Sequence, residues 1–228
     1  MAPPSTPQVR KLFIRKLLAW YKRKGRDLPW RDTRNPYAIL VSEFMLQQTQ
    51  VSRVLEYYPR FMARFPTIAA LARARPKAVM EQWDGLGYYA RARNLHALAR
   101  VVTKTHDGTL SDNPEELQEL PGVGRYTAGA VACFAYEKAV PAVDTNVKRV
   151  LSRAFEPDDV WELAEKVTPR DGKRAWRFNQ ALMELGALVC TARKPRCEIC
   201  PVNGDCKLFK RLARPASRSR NRPTARPR

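Results

Sequence analysis

Apolar residues recur at helical spacing along nearly the whole chain, and this pattern constrains the fold more than any other feature of the sequence. No convincing run of alternating apolar and polar β-branched residues, the pattern of a half-buried strand, interrupts it. Proline, glycine or aspartate separates the segments. The predicted helices span 8–24, 37–47, 51–64, 67–73, 76–84, 90–106, 114–119, 125–135, 144–154, 159–167 and 174–189. Short helices with short connections predict a compact all-α fold.

The charge balance restricts the function. Forty-two Lys and Arg against 22 Asp and Glu give a net charge of +20, so a polyanion is the expected partner and nucleic acid the first candidate. A hydrophobic content of 44% excludes wholesale disorder. No run approaches the roughly 18 apolar residues of a membrane-spanning helix, which excludes an integral membrane protein. We expect an intracellular location, cytoplasmic and nucleoid-associated in a bacterium.

The two ends of the chain are strongly basic. No acidic residue precedes Asp27 or follows Asp205. Residues 1–7 and 212–228 are predicted to be disordered, because a segment rich in Arg, Pro and Ser cannot bury a core. The final residues would increase the affinity for a polyanion, but they would not be its main source.

A glycine-rich turn joins two of the predicted helices. In LPGVGRYTAGAV, residues 120–131, a proline and the glycines Gly122 and Gly124 end one helix just before the next begins. Glycine can adopt positive φ and bring main-chain N–H groups against an anion at a helix N-terminus, which holds a phosphate without reading sequence. An ordinary helix–helix joint is the alternative. This turn, followed by VDTNVKRVL, resembles the helix-hairpin-helix DNA glycosylase superfamily.

Two carboxylates are candidates for cleaving a base–sugar bond. Such a reaction needs one carboxylic acid to protonate the leaving base and one carboxylate to stabilise the sugar cation. Asp144 precedes a predicted helix, where an aspartate also acts as an N-cap. Glu43 has apolar neighbours on both sides, so partial burial would raise its pKa, whereas an exposed helical glutamate is the alternative. The sequence does not say whether the two meet.

Longer motifs resemble MutY-type adenine DNA glycosylases. RDLPWR, NPY, VSEFMLQQTQV, WDGLGYYARARNL and FNQALMELGALVC stand in the order of that family, from residue 26 to about 207. By that resemblance Glu43 protonates the adenine ring and Asp144 stabilises the sugar cation, with Tyr126 and Asn146 assisting. The base pocket would be lined by Arg26, Leu28, Trp30, Arg31 and Glu184. The DNA-binding residues would be Gln48, Tyr88, Gly122, Val123, Gly124 and Arg125, of which Gln48 and Tyr88 wedge into the duplex while the target base is extruded.

Four cysteines near the end of the helical body predict a metal centre. Cys190, Cys197, Cys200 and Cys206 form the pattern C-x6-C-x2-C-x5-C, and disulfides are not expected in an intracellular DNA-binding chain. The spacing resembles the 4Fe-4S loop of endonuclease III and its relatives, and a zinc site is the alternative. We expect a 4Fe-4S cluster that serves architecture and DNA docking.

The resemblance leaves three functions open. The preferred one is a monofunctional glycosylase acting on adenine opposite 8-oxoguanine or guanine, because Tyr126 stands where endonuclease III has the lysine that forms a Schiff base. The second is a thymine, uracil or oxidised-pyrimidine glycosylase, which Thr145 favours because related adenine enzymes often have glycine there. The third is a non-enzymatic DNA-binding module with a cluster. The family's C-terminal 8-oxoguanine-recognition domain is expected to be absent, which puts strict selectivity for the opposite base in doubt.

The expected architecture has two lobes with a DNA cleft between them. Residues 27–138 would form a six-helix barrel containing the hairpin at about 114–135. Residues 8–26 and 139–211 would form the cluster lobe, with the N-terminal helix returning to pack on it. The expected partner is double-stranded DNA with a mismatched or damaged base, and the chain is expected to be a monomer.

Overall fold

The structure, a computed structural model, describes residues 7–213 and is helical throughout that range. The helices are α1 (Pro7–Lys24), α2 (Pro36–Leu46), α3 (Val51–Arg64), α4 (Ile68–Arg73), α5 (Pro76–Trp83), α6 (Ala90–Thr105), α7 (Pro114–Gln118), α8 (Arg125–Tyr136), α9 (Thr145–Phe155), α10 (Val160–Val167), α11 (Gly172–Leu188) and α12 (Lys207–Leu212). Short 3-10 helices span Pro29–Arg31, Cys197–Ile199 and Asn203–Asp205. No strand occurs in residues 7–213, which confirms the predicted all-α class.

Six of the twelve α-helices in residues 7–213 begin at a residue whose side chain caps the helix. Asn35 accepts hydrogen bonds from the backbone N–H groups of Tyr37 and Ala38, and Pro36 follows it at the first helical position. Side chains of Thr67, Asn113, Asp144, Asp159 and Asp171 cap α4, α7, α9, α10 and α11 in the same way. These caps satisfy backbone donors that a helix start leaves free, and proline at the first position loses no hydrogen bond.

The buried side chains form two clusters. The first is built from α2 to α8, with α2 at its centre because every residue from Tyr37 to Met45 is buried. The second joins α1, α9, α10 and α11, so the N-terminal helix packs against the C-terminal half of the chain. The first cluster takes its residues from 28–142 together with Ala175, and the second from 13–20 and 143–202. The lobe boundaries themselves stay a proposal.

The ends of the helical body lie slightly further out than the sequence suggested. Pro7 is the first residue of α1 and Leu212 the last of α12, whereas the predicted disordered ends included both. The remaining residues of those ends, 1–6 and 214–228, lie outside the described residues. Within residues 7–213, no helix combines the length and the apolar character needed to cross a membrane.

Candidate active site

One large cavity brings the predicted catalytic and pocket residues together. It has a volume of about 580 Å³ and draws its lining from both buried clusters. The predicted residues that line it are Arg26, Leu28, Trp30, Arg31, Glu43, Gln48, Tyr126, Asp144, Asn146 and Glu184. Glu43 and Asp144, 101 positions apart in the sequence, therefore face a common space.

Glu43 occupies a buried position in α2 and is only 4% exposed. Its Oε2 accepts a hydrogen bond of 2.5 Å from the hydroxyl of Tyr126, which stands in the first turn of α8. Burial raises the pKa of Glu43 to about 7; the Tyr126 hydrogen bond opposes this shift, and the nearby charge of Asp144 adds to it. A carboxyl group with such a pKa keeps a substantial protonated fraction at neutral pH and can act as an acid.

Asp144 is the N-cap of α9, as its position in the sequence predicted, and it also lines the cavity. Its Oδ1 accepts from the backbone N–H of Val147 at 2.6 Å, and its Oδ2 accepts from Nδ2 of Asn146 at 2.8 Å. Burial raises the pKa of Asp144 above its ordinary value, while these hydrogen bonds favour the ionised form and limit the shift. The capping role and the candidate catalytic role are therefore compatible.

A chain of hydrogen bonds fixes the first turn of α9. Arg149 Nη2 donates to Asn146 Oδ1 at 2.7 Å and to the carbonyl of Gly186 at 2.8 Å, and its Nε donates to the carbonyl of Cys190 at 2.7 Å. Gly186 is needed here because a Cβ atom would lie 2.6 Å from the Cβ of Asn146. Contacts with α11 and with Cys190 therefore hold Asn146 in place, and Asn146 in turn holds Asp144.

Two arginines close the other side of the cavity around one carboxylate. Glu184, 1% exposed, accepts from Arg26 Nε at 2.6 Å and from Arg31 Nη2 at 2.7 Å. Burial alone would raise the pKa of Glu184, but the hydrogen bonds and charges of the two arginines lower it below its ordinary value. Arg31 Nε also donates to Gln180 at 2.8 Å. Glu184 therefore orients the arginines that border the pocket, in addition to lining it.

An apolar wall completes the predicted base pocket. Leu28 immediately precedes the 3-10 helix Pro29–Arg31, Trp30 lies within it, and both are buried. The Trp30 ring packs edge-to-face on Tyr58, with centroids 5.4 Å apart. Trp30 thus belongs to the first buried cluster and also borders the cavity.

The glycine hairpin forms as predicted, with a difference between its two glycines. Gly122 has φ +77°, and a Cβ there would lie 2.7 Å from the Cβ of Asn94. Gly124 is the extended N-cap of α8 and does not use positive φ. The Val123 side chain is buried, so only its main chain can contact a ligand. Arg125 pairs with Glu165 at 2.8 Å and lies over the ring of Trp161, so its guanidinium is already engaged with α10.

Gln48 and Tyr88, the predicted wedging residues, lie on two neighbouring loops. Both are exposed and both adopt positive φ, at 55° and 48°. They border a second groove of about 480 Å³, and Gln48 also lines the main cavity.

The four predicted cysteine ligands converge on one pocket beside α9 and α12. All four line it, and Arg153 donates to Cys190 Sγ at 3.5 Å. In residues 7–213 no three His, Cys, Asp or Glu side chains form a site for a single metal ion. Burial raises the pKa values of Cys197, Cys200 (to about 11) and Cys206. Neighbouring, partly buried thiols become thiolates readily only near a positive centre, so these four donors fit a cluster that takes one thiolate at each iron.

Sequence reasoning missed several residues that complete the site. Gln180 lies four residues before Glu184 on α11, and this spacing places both side chains on one face of the helix. The same spacing could have predicted Gln180 as a pocket residue from the sequence. Arg149 follows Asn146 by three residues on α9 and shows the same signal. No local sequence pattern predicts the positions of Met183, Thr49 and Val51. These residues line the cavity because of the way the helices pack.

Comparisons with known proteins agree with this geometry. Residues 41–176 match the family described as HhH-GPD superfamily base excision DNA repair protein, and residues 190–206 match the iron-sulfur binding domain of endonuclease III. The second match confirms the predicted iron–sulfur cofactor, while the assignment of individual cysteines as ligands stays a prediction.

Relatives of known name cover most of the chain. An adenine DNA glycosylase of Mycobacterium tuberculosis is 47% identical over 211 residues, which cover 88% of this chain and 69% of that protein. One of Rattus norvegicus is 45% identical over 219 residues, covering 88% and 42%. The chain therefore spans about two thirds of the bacterial relative and less than half of the mammalian one.

A solved structure shares nearly the whole fold. The structure of a thermostable thymine-DNA glycosylase superposes with a TM-score of 0.83 at 33% sequence identity, covering 90% of this chain and 98% of that one. Together with the family match over residues 41–176, this likeness confirms the fold and the superfamily predicted from the hairpin and the longer motifs. The chain belongs to the HhH-GPD superfamily of base excision DNA repair proteins.

Proposed function

We propose that this chain is a monofunctional DNA glycosylase that hydrolyses the N-glycosidic bond of adenine mispaired with 8-oxoguanine or guanine. The observation that carries the proposal is the placement of Glu43 and Asp144 on one cavity, with Tyr126 bonded to Glu43. DNA as the substrate follows from membership in a base excision repair superfamily.

The two carboxyl groups divide the reaction between them. Glu43, whose pKa is about 7, gives its proton to a ring nitrogen of the leaving base as the base–sugar bond breaks. Because Tyr126 donates to Oε2, the transferable proton of Glu43 resides on Oε1. Asp144, ionised and fixed by Asn146 and the start of α9, stabilises the developing positive charge on the sugar. Water then adds to the sugar and gives up one proton, which the Glu43 carboxylate takes back, so that the hydrolysis is complete and the acid is restored.

The preference for adenine rests on the relatives and on the pocket chemistry. Proteins named adenine DNA glycosylase are 45–47% identical to this chain, whereas the thymine-DNA glycosylase structure is 33% identical. Glu43 is suited to a leaving base that needs protonation, and the arginines held by Glu184 offer hydrogen-bond donors at the pocket edge. Thymine release is the second candidate, favoured by the fold shared with that structure.

Extrusion of the target base is assigned to the two exposed loops. A base in the stack is out of reach, so the enzyme must replace lost stacking with its own side chains. Gln48 and Tyr88 are exposed on the second groove, which shares Gln48 with the cavity, and they suit this role. The main chain at Gly122, Val123 and Gly124 would bind a phosphate at the start of α8, with Arg125 beside it.

Strand cleavage is not expected. The lyase reaction needs an amine that forms a Schiff base with the sugar, and the hydroxyl of Tyr126 is committed to Glu43. The described residues lining the cavity include no lysine. Reaction products analysed with and without alkali should show breaks only after alkali, and equal cleavage in both would contradict this assignment.

The iron–sulfur cluster is assigned a structural and DNA-docking role. Cys190, Cys197, Cys200 and Cys206 would hold it, and when bound it supplies four metal–thiolate bonds that order the loop. Arg193, Lys194, Arg196 and Lys207 lie among these cysteines and would contact DNA phosphates, which makes affinity fall with salt. We also keep the expectations of a monomer and of an intracellular location.

A panel of duplexes tests the function. Each carries one target pair: A opposite 8-oxoguanine, A opposite G, T or U opposite G, or an oxidised pyrimidine. We expect release of adenine from the first two. Faster release of thymine or uracil would favour the second candidate, and release of no base with DNA binding intact would favour a non-enzymatic module.

A further inference from the structure

The two loops that border the second groove each hold one residue in an unfavourable backbone conformation. Gln48 follows the C-terminus of α2, and Tyr88 precedes α6; neither is glycine, yet both adopt left-handed φ values. Such a conformation costs about 1–2 kcal/mol for an ordinary residue and persists only where its surroundings enforce it. The enforcing contact should therefore be visible between the loops.

Arg91, in the first turn of α6, lies between these loops and binds both. Its guanidinium donates to the carbonyl groups of Phe44 (2.9 Å), Met45 (2.8 Å) and Gln47 on one side, and to those of Leu86 (3.2 Å), Gly87 (3.0 Å) and Tyr88 (3.4 Å) on the other. Phe44 and Met45 lie in the last turn of α2 and Gln47 directly precedes Gln48, while Leu86 and Gly87 lead to Tyr88.

The burial of Arg91 shows that these contacts are its main interactions. Arg91 is only 7% exposed, and among the described residues it forms no ion pair with a carboxylate. The charge of Arg91 is stabilised by main-chain carbonyls. Some of these belong to the last turn of α2, where carbonyls have no partner within the helix and the helix dipole is negative. The rings of Trp83 and Tyr88 lie 5.4 and 5.5 Å from its Cζ and add cation–π contacts. A neutral side chain would leave several acceptors unpaired.

We propose that Arg91 is a positioning residue that joins the two loops into one rigid unit, so that Gln48 and Tyr88 enter the duplex together. Arg91 acts through these two residues and need not touch DNA. The inference rests on the proposed function, which assigns base extrusion to Gln48 and Tyr88.

Arg91→Lys tests the proposal because lysine keeps the charge but has at most three donors on a single atom. Arg100→Lys, at an exposed position on the same helix, is the control. Hydrogen–deuterium exchange on the free proteins should show faster exchange at both 46–50 and 84–89 in Arg91→Lys and unchanged exchange in the control. This measurement needs no DNA or catalysis.

Base extrusion gives the functional readout. With 2-aminopurine as the target base and Glu43→Gln as an inactive background, Arg91→Lys should lower the fluorescence rise on binding. In the otherwise intact protein it should slow single-turnover adenine release, by about 10- to 100-fold for a misplacement of this kind. The apparent pKa values of the pH–rate profile should stay unchanged, because Glu43 and Asp144 are not altered. A general structural defect would change the apparent pKa values as well as base extrusion, whereas the proposal expects only base extrusion to change.

Faster exchange in only one loop, or unchanged exchange with normal extrusion, would overturn the proposal. If thermal melting shows that Arg91→Lys does not fold, native-state exchange of the unmodified protein in increasing denaturant decides instead. The proposal expects the two loops to open with one common free energy, and separate openings would contradict it. If the unmodified protein releases no base, the proposed function fails while the exchange result still tests the link between the loops.

Discussion

The hydroxyl of Tyr126 donates a 2.5 Å hydrogen bond to a carboxyl oxygen of Glu43. This bond joins the helix after the glycine hairpin to the central helix of the first core. It lowers the pKa of Glu43, yet burial outweighs it and leaves the pKa at about 7. Glu43 is thus both a candidate acid and a group whose ionisation costs stability.

Glu43→Gln should stabilise the protein at neutral to basic pH. The carboxyl ionises at about 4.5 in the unfolded chain and at about 7 in the folded one, so the native state loses stability relative to the variant as pH rises from the first value to the second. The full difference is on the order of 3 kcal/mol. Thermal melting of both proteins from about pH 4 to about pH 8 measures it. A difference in melting temperature that does not grow with pH would contradict the raised pKa.

The single-turnover rate of base release should follow a bell-shaped pH profile. Above about pH 7 the rate should fall because Glu43 loses the proton it must donate. On the acid side the rate should fall as Asp144 becomes protonated, at a pKa above the ordinary aspartate value because burial raises it. Rates measured under enzyme excess report both limbs. A rate that stays constant well above pH 7 would exclude Glu43 as the acid.

Glu184→Gln should destabilise the fold and impair the pocket. Removing this carboxylate leaves the buried Arg31 without its counter-charge and Arg26 without its partner, which costs about 3–5 kcal/mol for a buried pair. Glu165→Gln is the matched control, because its pair with Arg125 is about half exposed and is worth about 0–1 kcal/mol. Denaturant unfolding compares the two. If both variants lost the same free energy of unfolding, the ion pairs of Glu184 would not be stronger than the pair of Glu165.

Gly186→Ala should slow base release more than it destabilises the protein. The added Cβ would lie 2.6 Å from the Cβ of Asn146, so the first turn of α9 must move together with Asp144. A displacement of about 1 Å at a reacting group can cost about 100-fold in rate. Gly204→Ala, whose nearest neighbour is 3.9 Å away, is the control. Comparable rates for both variants would mean that the α9–α11 contact does not position Asp144.

The sequence predicted the helices well because their ends carry local signals. Asn35, Asp144 and Asp171 act as caps, and the structure begins α2, α9 and α11 beside them. Helix α12 was missed because Lys207–Leu212 is a single short turn that follows a cysteine rather than a capping side chain. Its position depends on packing against α9, which no local pattern encodes.

The site could be predicted only in part. Glu43, Tyr126 and Asp144 stand in motifs whose resemblance to a family supplied their roles, but their meeting in one cavity depends on how α2, α8 and α9 pack. The carbonyl acceptors of Arg91 are invisible in the sequence, because a main-chain oxygen carries no residue signature. The same holds for Gly186, whose reason for being glycine is the distance to Asn146.

Single-turnover base release by Asp144→Asn, measured together with DNA affinity on a duplex carrying A opposite 8-oxoguanine, tests the central claim most directly. Asparagine keeps the helix cap but removes the negative charge that stabilises the sugar cation. The rate of adenine release should therefore fall by about 100-fold or more while DNA binding is retained. Release at the rate of the unmodified protein would contradict the central claim.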